Sequence, residues 1–288
     1  MSARLAAPTH QPMPFFREAG TGPGVVCIHS NAGTSGQWRR LMEVLAPSFH
    51  VLAPDCYDAG RSPQWPAELA IHLRDEVALI EPVLTRAGSP LALVGHSYGA
   101  AVALIAALAN PGRVRALALY EPTLFGLLDA DSQPPNEAQE IRDVVRDAGA
   151  ALDAGAQDAA AERFIDYWMG SGTWKGFPEP RKSPIAESVT HVRRWAHALF
   201  AEPTPLRAFR SLAIPVLYMV GRRSRASARG VARLLAAALP RVELVDFEDI
   251  GHMGPVTHPR GDQCSDWTIP RAASHWLSDH VEICQAPE

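Results

Sequence analysis

Leu91-Ala92-Leu93-Val94-Gly95-His96-Ser97-Tyr98-Gly99-Ala100 decides how this chain is read. An apolar run of strand length enters the pentapeptide Gly95-His96-Ser97-Tyr98-Gly99, and helix-forming residues follow from Ala101 to Leu108. A serine between a buried strand and a helix sits on a sharp turn whose strained backbone projects the hydroxyl clear of the sheet. Glycines on either side are needed because larger side chains would collide where strand and helix close up. The helix N-terminus behind the serine favours developing negative charge. The other reading is a structural turn with an idle serine. The pentapeptide alone would leave that open, but the strand before it and the helix after it make Ser97 a candidate nucleophile.

Outward from this point, short β-rich apolar runs alternate with helical patterns. Val25 to His29 and Phe49 to Ala53 read as strands, with a helix over Gln37 to Ala46 between them. Ala67 to Arg86 has helical periodicity, with Leu69, Leu73, Val77 and Ile80 on one side. A strand from Val114 to Tyr120 follows the helix behind Ser97. This alternation implies an α/β fold, a mostly parallel central sheet with helices on both faces. It stops at Glu121-Pro122. From about Thr123 to Pro205 the pattern is helical or loop-like: Asn136 to Leu152, Ala156 to Met169 and Ser183 to Phe200 read as helices, and Gly170 to Pro180 as a connection. Strands resume at Ile214 to Val220 and Val242 to Phe247. The expected organisation is a core of residues 1–122 and 206–288 carrying a helical cap, 123–205, over the sheet edge where open α/β sheets bind ligands. Arg260 to Glu288 is less regular, with Trp276, Leu277, Val281 and Ile283 able to share a helix face.

Bulk composition narrows the function. The 288 residues suffice for a sizeable core, and 47% hydrophobic with 20% charged residues fits a soluble globular protein. A net charge of -4 gives no sign of a nucleic-acid or anionic-membrane partner. Cys27, Cys56, Cys264 and Cys284 form no C-x-x-C pair, so a zinc site is not expected, and Cys27 and Cys56 read as reduced packing residues. Met1 to Pro14 has no apolar stretch of signal-peptide length, and no apolar run is long enough to span a bilayer. A cytoplasmic location is the expectation.

From about Val25 to Pro259 the chain resembles the α/β-hydrolase family, through the Ser97 turn first and then through Gly251-His252-Met253-Gly254 after the last expected strand. The resemblance implies that His252 is the general base that takes the serine proton and returns it to the leaving group. Family enzymes often carry the third member, an acid, after the strand that follows the cap. Here that place reads Val220-Gly221-Arg222-Arg223-Ser224-Arg225, and no Asp or Glu occurs between Pro203 and Val242. Glu121, at the end of the strand next to that of Ser97, stands where some branches look similar, certain haloalkane dehalogenases and a lactone-hydrolysing branch among them. Asp246, Glu248 and Asp249 are the competing acids. The loop His29-Ser30-Asn31-Ala32-Gly33-Thr34-Ser35-Gly36-Gln37-Trp38 resembles the family's His-Gly-x…Trp loop, with Ser30 in place of the common glycine. That match implies an oxyanion hole made by the backbone N–H groups of Asn31 and Tyr98. Asp55 to Ser62 matches a further family signature and reads as loop architecture.

These residues point to acyl transfer to water through an acyl-serine. A carboxylic ester or lactone with apolar parts is the expected small-molecule substrate. Thioester, amide and C–C bonds stay open, as does a lyase or perhydrolase on the same triad. Dehalogenase and epoxide-hydrolase chemistry is disfavoured because those branches use an aspartate nucleophile. No metal or organic cofactor is called for. Trp38, Phe125, Trp168 and Trp195 are expected to line the substrate pocket, although such aromatics can equally be packing core. The contrasting class is a ligand-binding protein that kept the fold but lost turnover, for which the acid-free stretch after Val220 is the best support.

Overall fold

The computed structural model describes residues 12–66, 68–257 and Leu277. Seven strands form one sheet: β1 (Phe16–Ala19), β2 (Gly24–Ile28), β3 (His50–Pro54), β4 (Leu91–His96), β5 (Val114–Tyr120), β6 (Val216–Gly221) and β7 (Val242–Phe247). Their spatial order is β1-β3-β2-β4-β5-β6-β7. Among the described strands only β1 runs antiparallel, along the outer edge of β3. The sequence reading missed it, because Phe-Arg-Glu-Ala is a half-exposed edge strand without a continuous apolar run.

Residues alternate between the two faces of the sheet, as a period of two requires. Val26, Ile28, Leu91, Leu93, Leu117 and Leu119 pack into one cluster, while Val25, Cys27, Ala92, Val94, Ala116 and Ala118 pack into another. The first face is covered by α2 (Leu73–Ala87), α3 (Tyr98–Ala109) and α9 (Ala226–Ala238), and the second by α1 (Arg39–Leu45). Both faces are therefore buried, which is why the central strands read as unbroken apolar runs. Leu277 is buried in the second cluster. The expected helix face of Trp276, Val281 and Ile283 lies outside the described residues, as do Cys264 and Cys284.

Between β5 and β6 lie five α-helices, a 3-10 helix (Leu206–Ser211) and no strand; the α-helices are α4 (Gly126–Asp131), α5 (Gln139–Asp153), α6 (Gln157–Met169), α7 (Glu179–Val189) and α8 (Val192–Phe200). The single helix expected over Ser183 to Phe200 is two, because the chain turns at Thr190-His191, where the Thr190 hydroxyl caps the Glu187 carbonyl at 2.6 Å. Likewise α2 starts at Leu73 and not at Ala67. His72 is extended, and its N–H is taken by Asp75 Oδ2 at 2.8 Å, so the cap sets the first turn there. No helix among the described residues is long and apolar enough to cross a membrane.

The sheet order positions the site. The chain leaves β2 toward β3 on one side and returns as β4 on the other, then continues outward through β5, β6 and β7. The loops leaving β2 and β4 thus diverge at the carboxyl edge, the crevice where α/β sheets bind ligands.

Candidate active site

Ser97 follows β4 directly and has φ 56°, a left-handed value rare for a residue with a side chain. Its N–H still bonds the Tyr120 carbonyl at 2.9 Å, so the strand ladder holds up to the turn. Both flanking glycines are required by space. A Cβ on Gly95 would lie 2.5 Å from Ala100 Cα, and one on Gly99 would lie 2.2 Å from the Ile28 carbonyl oxygen.

Glu121 repeats the arrangement one strand over. It follows β5 with φ 45°, and its N–H bonds the Met219 carbonyl at 3.1 Å. Its carboxylate is fully buried. Oε2 lies 2.6 Å from His252 Nδ1, and His252 Nε2 lies 2.9 Å from Ser97 Oγ. Oε1 accepts the Gly221 N–H at 2.7 Å and the Ser224 hydroxyl at 2.5 Å. The three side chains expected to act together are therefore joined in one hydrogen-bonded line, all nearly or wholly inaccessible.

The residues preceding these two also converge on the histidine loop. His96 Nε2 lies 2.8 Å from the His252 carbonyl, and the Tyr120 hydroxyl donates to the Gly251 carbonyl at 2.8 Å. Burial holds the His96 imidazole well below its ordinary pKa, so it is neutral, donating from Nε2 and accepting at Nδ1 from Gln37 Nε2 at 3.1 Å. Gln37 Oε1 in turn accepts the Ser30 N–H at 3.2 Å and the Ser30 hydroxyl at 2.9 Å. One continuous network so ties the loop after β2 to the backbone of His252. From above, the Trp168 ring stacks on the His252 imidazole, centroids 3.9 Å apart and planes 28° from parallel.

In the loop after β2, His29 donates from Nδ1 to the Ser30 carbonyl at 2.7 Å and accepts the Cys56 N–H at Nε2 at 3.0 Å. Burial lowers its pKa, consistent with the neutral form this pairing needs. Asn31 lines the cavity beside Ser97. Tyr98 opens α3, where first-turn N–H groups have no intrahelical acceptor. The Tyr98 hydroxyl donates to Glu76 Oε1 at 3.1 Å, and burial pushes the Glu76 carboxyl up to about 8. Asp55 accepts the Ser35 N–H at 2.6 Å, and Asp58 accepts the Trp65 N–H at 2.9 Å while pairing with Arg194 of α8 at 2.5 Å. Both serve loop architecture.

A cavity of about 570 Å³ opens above Ser97. Phe125, Trp168 and Trp195 line it together with Ile141, Phe164 and Leu199; all but Trp168 belong to the hydrophobic core cluster, and Trp168 packs against it. Pocket wall and packing core are one surface here. Trp38 does not line the cavity. The 3-10 turn Ser35–Trp38 directs its ring to the opposite face of the sheet, among Leu41, Met42 and Leu45, and Gln37 faces the cavity instead. The competing acids are engaged elsewhere: Asp246 and Glu248 with Arg222 at 2.9 and 2.6 Å, and Asp249 with Arg223 at 2.6 Å. Cys27 and Cys56 are buried free thiols, and burial pushes both pKa values up. Among the described residues no group of three or more His, Cys, Asp or Glu could hold a metal ion.

Sequence reasoning assigned no task to Gln37, Tyr120 or Ser224, and none to Trp168 on the histidine. The positions of His96 and Tyr120, each directly before a candidate catalytic residue, were the one available signal.

Comparison with known proteins identifies the family. The chain is 30% identical over 257 residues to the lipase LipV of Mycobacterium tuberculosis, an alignment covering 83% of this chain and 90% of that protein. It is 28% identical over 251 residues to a pimeloyl-[acyl-carrier protein] methyl ester esterase of Chromobacterium violaceum, covering 85% and 92%. A solved alpha/beta hydrolase from Sphaerobacter thermophilus superposes with a TM-score of 0.64 at 25% identity, covering 93% of this chain and 95% of that one. The sequence pattern of the alpha/beta hydrolase fold matches residues 23–259, and the chain is an enzyme belonging to that family.

Proposed function

We propose that the protein is a serine hydrolase acting on a carboxylic ester or lactone with apolar parts, through an acyl-enzyme. The observation that carries this reading is the line Ser97–His252–Glu121, at 2.9 and 2.6 Å. His252 takes the Ser97 proton at Nε2 as Oγ attacks the substrate carbonyl carbon. Glu121 accepts the Nδ1–H, holds the ring in the tautomer that leaves Nε2 free, and offsets the imidazolium charge once the proton has moved. The tetrahedral oxygen is met by the N–H groups of Asn31 and Tyr98, which supply a few kcal/mol of barrier lowering. His252 then gives its proton to the departing alkoxide, the C–O bond breaks, and the acyl-serine remains. Water, deprotonated by the same ring, attacks that ester and restores Ser97.

Three further features support this reading. The strained φ of Ser97 turns the hydroxyl toward the cavity at the carboxyl edge of the sheet. The cavity above it is mostly apolar, which suits an apolar acyl or alcohol part. The aligned relatives are named as a lipase and a methyl ester esterase. Residues 123–205 act as a cap, since this segment, chiefly through α5, α6, α7 and α8, supplies more than half of the residues lining the cavity. Ser97→Ala is expected to abolish both p-nitrophenyl ester turnover and covalent labelling by a fluorophosphonate, with circular dichroism unchanged. Wild-type-like hydrolysis by that variant would remove Ser97 from the mechanism.

A further inference from the structure

One charged side chain interrupts the cavity wall. Apart from His252, Arg181 is the sole ionisable residue among the described residues that line it, where Met169, Phe177 and Ile185 also stand. It lies near the start of α7, with Ile185 one turn later on the same helix face. α7 packs on α6, and Arg181 is exposed whereas Ser97 is buried, so Arg181 stands at the solvent side of the cavity. Phe125, Trp195 and Leu199 on the same wall are buried.

Arg181 also differs from its neighbours. Every other lysine and arginine between residues 123 and 205 has a carboxylate partner: on the cavity's own helix, Lys182 pairs with Glu179 at 2.9 Å. For Arg181 no carboxylate lies within ion-pair distance among the described residues. A guanidinium facing an apolar cavity offers two parallel donors to a carboxylate or phosphate.

We infer that Arg181 forms an anion subsite, and that the preferred substrate is an ester bearing an anionic group separated from the reacting carbonyl by an apolar chain. The inference rests on the esterase reading above and deepens it. The chain fills the wall formed by α5, α6 and α8, its carbonyl reaches Ser97, and its anion meets Arg181. The anion can be carried on the acyl side, as the free carboxylate of a dicarboxylic acid monoester, or on the alcohol side, as a phosphate.

The experiment measures kcat/KM for matched pairs of esters. One arm sets p-nitrophenyl monoesters of dicarboxylic acids of increasing length against p-nitrophenyl esters of monocarboxylic acids of equal length. The other sets esters of ω-phosphorylated alcohols against the unphosphorylated esters. The expected result is a preference for the anionic member of one pair, about tenfold at the best chain length and weakening with added salt. In Arg181→Gln that ratio collapses toward one, the loss falling in KM, while Arg181→Lys retains part of it. Hydrolysis of neutral esters with no anionic preference in either arm, or a preference that Arg181→Gln leaves intact, overturns the subsite while the esterase reading stands. Failure of every ester, together with no fluorophosphonate labelling of Ser97, overturns the esterase reading and the subsite with it.

Discussion

The ends of β5 and β6 lie side by side, and they solve opposite halves of one problem. β5 ends in a carboxylate, Glu121, on a strained left-handed backbone. β6 ends in Gly221-Arg222-Arg223-Ser224, where no carboxylate exists, yet this loop supplies the Gly221 N–H and the Ser224 hydroxyl that bind Glu121 Oε1. One strand end carries the charge and the other solvates it. A buried carboxylate without such donors would be costly to keep ionised, and the proposed mechanism calls for an anionic Glu121 to offset a His252 imidazolium. The acid-free stretch after β6, which in sequence was the best support for the alternative of a protein without turnover, in space supplies the two donors that hold the Glu121 carboxylate next door.

The largest effect that could break this comparison comes from Glu121 itself. Glu121→Gln keeps the shape and leaves an amide facing His252 Nδ1. The amide can stabilise the wrong tautomer and cannot offset the imidazolium, so kcat is expected to fall by roughly 10³–10⁴. Ester turnover and the rate of fluorophosphonate labelling, measured alongside a thermal melt, check it. Near wild-type turnover would mean that the β5 end carries no catalytic acid.

A smaller effect tests the supporting strand end. Ser224→Ala removes one of the two β6-side donors and leaves the Gly221 N–H in place. Hydrogen bonds to charged groups contribute about 1.5–3 kcal/mol, and with one donor remaining the low end applies, so kcat drops about tenfold. Ser224→Thr, which keeps the hydroxyl, restores most of it. If the alanine variant loses nothing, the loop after β6 is only a neighbour of the acid and not its support.

How far this was legible in the sequence depends on whether the signal is local. Ser97 between a strand and a helix is local chemistry, and so is a glutamate ending a strand. The bonds from Gly221 and Ser224 to Glu121 span 100 and 103 residues. They exist only because β5 and β6 pair with Tyr120 opposite Met219, a register that no pattern in either segment states. The same holds for Trp168 on His252, which depends on where the end of α6 meets the β7 loop. Trp38 failed for a different reason: a one-residue difference on a 3-10 turn sends Gln37 to the cavity and Trp38 beneath the sheet. Loop resemblance does not resolve which side chain faces which way.

The smallest effect concerns the cations that occupy the place after β6. Arg222 pairs with Asp246 and Glu248, and Arg223 with Asp249, all well exposed to solvent. Exposed pairs are screened by water and salt and contribute little. The loop does not rely on them, because its backbone is already tied to the β7 exit by Arg222 N–H to the Phe247 carbonyl at 2.9 Å and Arg223 N–H to the Ile250 carbonyl at 3.1 Å. Arg222→Ala and Arg223→Ala should therefore leave ester turnover within about twofold of wild type, with little movement of the melting temperature. A tenfold loss in either variant, suppressed by high salt in the wild type as well, would show that these charges act on Glu121 through the loop. The β6 end would then contribute electrostatics to the acid, and not only two hydrogen-bond donors.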